Sequence, residues 1–279
     1  YNDSPKHAHY FDRLNTKEKI LIRWNKATPS STLNELFVWR HIPLSIRKKK
    51  YDNIYFSSIG MIPISFFVRE NPTARLHTYD DGVFNLIAPT YYKWINCEPR
   101  PRQFVKNLFS LPLNHNIANK VICHYTIYPT SLNVSYCKEL IYLNPWRQSV
   151  YMSPKQRGTL VIILDTAPHS EDDANQINKC ISHIEHDVLI PHPLTHKRAE
   201  LVSEKAQELA RFLNIDTLIA EDIALECMAL GYSLIIYGFN SSALFSLCGI
   251  AKCINIARKG HHLFGDGILS FMNIESMSY

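Results

Sequence analysis

The sequence predicts an α/β protein of two domains, and three observations carry that expectation. Short apolar runs alternate with longer amphipathic stretches along most of the chain. The run Thr159-Leu-Val-Ile-Ile-Leu164 is apolar almost throughout, as strands buried on both faces of a parallel sheet are. Between them, Asn144-Pro145-Trp146-Arg147 and Ser153-Pro154-Lys155-Gln156-Arg157-Gly158 read as turns and linker. The expected domains are therefore 1–150 and 151–279.

Taken in order, strands are expected over Ile20–Trp24, Asn53–Ser57, Arg75–Tyr79 and Lys120–Thr126 in the first domain. In the second they are expected over Thr159–Leu164, Val188–Ile190, Thr217–Ile219 and Ser233–Tyr237. Helices are expected over Ser31–Trp39, Pro101–Leu108, Asp172–His183, Lys197–Leu213 and Asp222–Leu230, and a last one from near Ser241. In Lys197–Leu213 the residues Leu201, Ala206, Leu209 and Phe212 share one face.

Composition narrows the function classes. A chain of 279 residues, 46% hydrophobic and 20% charged, is long enough to bury a substantial core. The formal charge of +5 is too small, and Lys and Arg too dispersed, to argue for a nucleic-acid partner. The one dense basic run, Arg47-Lys48-Lys49-Lys50, reads first as a solvated helix end and second as a contact with an anionic membrane surface or glycolipid. Seven cysteines, an odd number without a Cys-x-x-Cys pair, read as free and mostly buried thiols in a reducing compartment. No signal peptide and no long uncharged apolar stretch is found, so a cytoplasmic protein that does not span a membrane is expected. The opening stretch Tyr1–Asn15 is polar and holds no clear strand.

Three constellations carry chemistry. Tyr79-Asp80-Asp81-Gly82 directly follows an expected strand. Open α/β sheets bind ligands at the carboxyl ends of their strands, and a carboxylate there can serve as a general base. An ordinary Asp-Asp-Gly turn explains the same residues. A metal site is disfavoured, because there is no Asp-x-Asp pair and no third ligand nearby. Val188-Leu-Ile-Pro191-His192-Pro193 ends another strand, and prolines on both sides stiffen the backbone that carries His192. The histidine suits an anion, or simply a turn. His183, His186 and His196 invite zinc, but Pro193 interrupts the spacing and cysteine ligands are missing. Finally, Gly238-Phe-Asn240-Ser241-Ser242 joins a strand to a helix opening. Free N–H groups at helix openings bind phosphate, and Asn or Ser there also serves as an N-cap.

The series Tyr-Asp-Asp-Gly, His-Pro, Ser-Ser resembles the motif series of bacterial sialyltransferases. The chain is most similar, from about Tyr10 to its C-terminus, to glycosyltransferase family 52, the lipooligosaccharide sialyltransferases of Gram-negative bacteria. The resemblance implies the GT-B fold, two Rossmann-like domains facing across a cleft. It implies an inverting transfer from CMP-sialic acid to a galactose-terminated glycan or lipooligosaccharide, without a metal or other cofactor. Asp81, with Asp80 as the alternate, would be the general base. His192, with Pro193, would hold the CMP phosphate and stabilise or protonate it as it leaves. Asn240, Ser241 and Ser242 would bind that phosphate, and Glu221 the ribose. Peripheral contact with the inner membrane and a homodimer fit the same resemblance. Family members open with an apolar first strand, and none precedes Tyr1, so an N-terminal piece outside this sequence is expected. Three other readings stay open: a transferase of the same fold using another sugar nucleotide, a non-catalytic nucleotide- or glycan-binding protein, and a metal-dependent phosphohydrolase.

Overall fold

The computed structural model describes residues 5–13, 15–16, 31–80, 82–144, 156–166, 168, 170–192, 197–257 and 266–278. The expected strand Ile20–Trp24 lies outside them. The chain divides into two compact units, Tyr1–Asn2 with Thr16–Asn144, and Asp3–Asn15 with Pro145–Tyr279. The polar opening stretch contains a helix, α1 (Pro5–Arg13), which belongs to the second unit rather than to a first domain beginning at residue 1.

In the first unit, α2 (Ser31–His41) and α3 (Leu44–Arg47) precede β1 (Asn53–Phe56), α4 (Ile62–Glu70) and β2 (Arg75–Tyr79). Then come α5 (Ala88–Asn96), α6 (Arg100–Leu108), α7 (Asn114–Ala118), β3 (Val121–Thr126) and β4 (Glu139–Tyr142). The four strands form one parallel sheet in the order β1-β2-β3-β4. α4, α5 and α6 each carry a proline in the first turn, where the missing N–H costs nothing. Phe56, Leu76 and Val121 from the sheet pack with Val68, Ile95 and Ile117 from the helices. Beside this core, Glu35 of α2 accepts the N–H of Ile62 at 2.6 Å and pairs with Arg102 of α6. Lys106 is fully buried, with its Nζ 2.6 Å from Glu98 Oε1 and donating to Asn114 Oδ1 at 2.8 Å. Burial pulls the Lys106 pKa down, and Glu98 opposes that shift. The basic run does close a helix. Lys48, Lys49 and Lys50 follow α3 exposed, and Lys50 donates to the Glu70 carbonyl at 2.5 Å.

The second unit continues with β5 (Gly158–Leu164), α8 (Glu171–Ser182), β6 (Val188–Ile190), β7 (Glu200–Leu201), α9 (Glu204–Leu209) and α10 (Ala220–Ala229). β8 (Tyr232–Phe239), α11 (Ser242–Leu247), β9 (Lys252–Ala257), α12 (Asp266–Phe271) and β10 (Glu275–Ser278) complete it. Its sheet runs β10-β9-β8-β5-β6-β7, parallel except where β7 pairs antiparallel with β6. In chain order within the unit this is the doubly wound arrangement of nucleotide-binding sheets, and the order reverses between β5 and β8. Central β5 buries Leu160, Ile162, Ile163 and Leu164, which explains its apolar run.

Two sequence expectations fail here. Lys197–Leu213 is not one helix: β7 occupies its first part, and only Glu204–Leu209 is helical. Ser203 caps that helix, its Oγ accepting the Ala206 N–H at 3.2 Å, so the turn before it is free to pair with β6. Ala206 and Leu209 are buried as expected, whereas Phe212 is exposed. Thr217–Ile219 is not a strand. Ile215–Thr217 forms a 3-10 turn, and Ile219 is the N-cap of α10.

All seven cysteines are free, and Cys123, Cys180, Cys227 and Cys253 are buried. Burial pushes the thiols of Cys227 and Cys253 up to about 12, so neither serves as a thiolate nucleophile. Among the described residues no helix is long and apolar enough to cross a membrane.

Candidate active site

In the first unit the acidic motif follows β2, as its position predicts. Asp81 lies outside the described residues, but both of its neighbours are placed. Gly82 has φ 58°, a left-handed conformation that glycine adopts without penalty. Asp80 is held from three sides. Its Oδ1 accepts from Asn85 Nδ2 at 2.8 Å and from His124 Nε2 at 3.1 Å, and its Oδ2 accepts the Ile127 N–H at 2.7 Å. The other nitrogen of His124, Nδ1, is 2.8 Å from Thr78 Oγ1. This network assigns the imidazole proton to Nε2 and makes the Thr78 hydroxyl a donor to Nδ1.

A cavity of about 180 Å³ opens beside this network at the carboxyl ends of β1, β2 and β3. Ser57 and Ser58 follow β1 there, His124 comes from β3, and Phe84, Tyr91 and Trp94 supply aromatic walls. Hydroxyls next to aromatic faces suit a sugar, which offers both O–H groups and apolar C–H faces. Gly60 makes room for one wall: a Cβ on it would stand 2.2 Å from Trp94 Cζ2.

In the second unit, strand ends β5, β6 and β8 converge on the switch point. His192 follows β6, half-buried, while Pro193 lies outside the described residues. Asp165 follows β5, and its N–H donates to the Ile190 carbonyl at 2.9 Å, which ties it to the end of β6. Burial pushes the Asp165 carboxyl up, and the Thr166 N–H and the charges of Lys197 and His192 oppose that.

After β8 the chain turns through Asn240 at φ 48° and enters α11 with Ser241 as N-cap, its Oγ 3.4 Å from the Ala243 nitrogen. The turn is fixed by a reciprocal pair. Asn255 Oδ1 accepts the Asn240 N–H at 3.1 Å, and Asn255 Nδ2 donates to Asn240 Oδ1 at 3.2 Å. Gly238 lets α11 fold back closely, since a Cβ there would come within 3.1 Å of Leu244 and Ser241. Glu221 lies in the first turn of α10 and accepts from Ser246 Oγ, in the last turn of α11, at 2.6 Å, so the opening of α10 packs beside α11. Ser242 is the first residue of α11.

The sequence profile of glycosyltransferase family 52 matches residues 3–257, a span that contains all of these groups. The chain belongs to glycosyltransferase family 52. No curated protein matched the chain when the two were compared. Membership makes this family 52 protein a glycosyltransferase, with a sugar nucleotide as donor and a glycan as acceptor. Four residues that hold the candidate site together have no place among the sequence-based expectations: Asn85, His124, Asp165 and Asn255. Two carried a signal, since Asp165 ends the β5 run and His124 interrupts the apolar Val121-Ile-Cys-His-Tyr125. Asn85 and Asn255 act by contacts across the fold that no local pattern marks.

Proposed function

We propose that the protein is an inverting, metal-independent sialyltransferase that moves sialic acid from CMP-sialic acid to a galactoside hydroxyl of a surface glycolipid such as lipooligosaccharide. The observation that carries this reading is that one chain holds both the Tyr79-Asp80-Asp81-Gly82 motif after β2 of the first unit's sheet and, in the second unit, His192 and the Asn240-Ser241 turn at the switch point of a nucleotide-type sheet. These motifs occur together in a family 52 chain.

The chemistry follows from the donor. Its anomeric carbon is tertiary, so the transition state is strongly oxocarbenium-like. As the C–O bond to the phosphate breaks, its electron pair leaves with CMP. Donors aimed at that growing charge lower the barrier, and His192 with the N–H groups opening α11 takes this role. Glu221 holds the ribose. Asp81 removes the proton from the acceptor hydroxyl, whose oxygen forms the new bond from the opposite face. The cavity beside Asp80 takes the acceptor sugar. The exposed lysines after α3 suit peripheral contact with the inner membrane, where a glycolipid acceptor would be met from the cytoplasm.

The test is incubation with CMP-sialic acid and a panel of galactosides, following CMP release and the anomeric configuration of the product. CMP release that depends on a galactoside and survives EDTA supports the reading. Turnover only with another sugar nucleotide, or a rate lost to EDTA and restored by Mg²⁺, overturns it.

A further inference from the structure

The opening of α10 is a capping box with a foreign hydroxyl inside it. In the ordinary box, the acidic or amide side chain three places after the N-cap reaches back to the N-cap N–H. Here the N-cap is Ile219, whose side chain caps nothing, and Asp222 stands three places on. Asp222 does not close on Ile219 directly. The Tyr10 hydroxyl lies between them, accepting the Ile219 N–H at 3.2 Å and donating to Asp222 Oδ2. Tyr10 is brought there by α1, which packs on the 3-10 turn Ile215–Thr217 that leads into α10. The first turn of a helix late in the chain is therefore shaped around a side chain 212 residues earlier.

Glu221 stands between these two anchors, next to Asp222. From the other side its Oε1 accepts from the buried Ser246 Oγ of α11 at 2.6 Å. The carboxylate is thus set by two neighbours, α1 through the backbone of the first turn and α11 through a direct hydrogen bond. Such setting matters for a group that must meet hydroxyls of a bound ligand, because hydrogen bonds weaken steeply as they bend. Without the Tyr10 hydroxyl, Asp222 can close on the Ile219 N–H as an ordinary capping box. That closure tightens the first turn and moves Glu221 relative to Ser246.

We propose that Tyr10 of α1 and Ser246 of α11 are positioning residues for the nucleotide, which together aim the Glu221 carboxylate at the ribose hydroxyls. The inference rests on the donor reading above, in which Glu221 holds the ribose. It makes α1 a working part of the donor site, acting through Glu221.

The test is calorimetric titration of the full chain with CMP and with 2′,3′-dideoxy-CMP, which keeps the base and phosphate but lacks both ribose hydroxyls. Wild type should prefer CMP by about tenfold or more, the scale of one hydrogen bond to a charged group. Tyr10→Phe and Ser246→Ala should each lower that preference several-fold by weakening CMP, with the affinity for dideoxy-CMP unchanged. Glu221→Ala should abolish the preference. Asp222→Asn still accepts from the Tyr10 hydroxyl and should keep the wild-type preference, whereas Asp222→Ala should lower it. General damage to the fold weakens both ligands together and leaves the preference as it was, so the ratio isolates the aiming of Glu221 from stability. Should Tyr10→Phe fail to fold, Asp222→Ala against Asp222→Asn makes the same comparison. A wild-type preference retained in Tyr10→Phe or in Asp222→Ala overturns the part given to α1, and one retained in Ser246→Ala overturns the part given to α11. A wild-type protein that binds CMP and dideoxy-CMP equally overturns the ribose role of Glu221, and one that binds neither overturns the donor reading; this inference falls with either.

Discussion

Tyr10 and Asp222 are 212 residues apart in sequence and share a hydrogen bond, with the Tyr10 hydroxyl donating to Asp222 Oδ2. The same hydroxyl accepts the Ile219 N–H at 3.2 Å. Ile219 is the N-cap of α10 and offers no side-chain acceptor of its own, so α1 supplies one for the opening of the helix that carries Glu221. Burial and the hydrogen bond to Asp222 push the Tyr10 phenol up to about 12. A raised folded pKa means that the fold holds this proton more tightly than the unfolded chain does. The resulting stability is fully present below about pH 10 and is lost as pH rises toward 12. Tyr10→Phe should therefore cost about 1 kcal/mol near neutral pH and remove this alkaline loss. Urea unfolding at pH 7 and above pH 10 checks both. A variant with the wild-type pH dependence would show that Tyr10 is not linked to folding.

Gly60 and Trp94 make a second prediction. The indole is wedged against Phe84 in an edge contact at 5.2 Å, so it has little freedom to yield to a Cβ. Gly60→Ala should displace the Trp94 wall of the cavity, at a cost of about 1–3 kcal/mol for overpacking. If the cavity holds the acceptor, KM for the galactoside rises while CMP affinity, measured by titration, stays as in wild type. A weaker CMP affinity with unchanged acceptor KM would assign the cavity to the donor.

How far the sequence can be read depends on whether the signal is local. Strand Arg75–Tyr79 is legible to the residue because its alternation and the following turn are both local features. β5 is legible because a strand with neighbours on both sides must be apolar throughout. β10, in contrast, is a largely polar edge strand of Glu275-Ser-Met-Ser278, made by pairing with β9 and by no pattern of its own. Helix α4 carries Ile62, Pro63, Ser65, Phe66 and Val68 buried in a run that shows no polar stripe, so periodicity does not reveal it. The Lys197–Leu213 expectation fails because capping by Ser203 outweighs an apolar stripe. At the candidate site the motif residues are legible, and the residues that hold them are not. Asn255 reaches Asn240 from the neighbouring strand, across a contact that exists only once the sheet has formed.

Lys106 tests what the buried polar cluster of the first unit contributes. Removing one member of a buried pair leaves the other charged and without compensation, which typically costs about 3–5 kcal/mol, more than the pair itself adds. Lys106→Met should show a loss of that order in urea unfolding. Lys106→Met with Glu98→Leu should recover much of it, because neither charge then remains buried. Additive losses in the double variant would mean that the two side chains do not act as a pair.

The last prediction concerns the turn that would face the donor phosphate. Asn240 keeps its left-handed φ through two hydrogen bonds to Asn255, which is 1% exposed and on the adjacent strand. Two replacements of Asn255 separate the support of this turn from its electrostatics. Asn255→Leu leaves the Asn240 N–H without its acceptor, a buried loss of about 1–3 kcal/mol, and lets the turn relax. Asn255→Asp still accepts that N–H, so it should retain more of the stability, but it sets a negative charge beneath the site. If the turn holds the phosphate of CMP, both variants bind CMP more weakly by about tenfold or more, equivalent to about 1.4 kcal/mol. They do so for different reasons. The weakening in Asn255→Asp should shrink in high salt as the repulsion is screened, and that in Asn255→Leu should not. Calorimetric titration with CMP at two ionic strengths distinguishes them. Wild-type affinity in both variants would move the donor phosphate away from the β8–α11 turn, and with it the role given to Ser241 and Ser242.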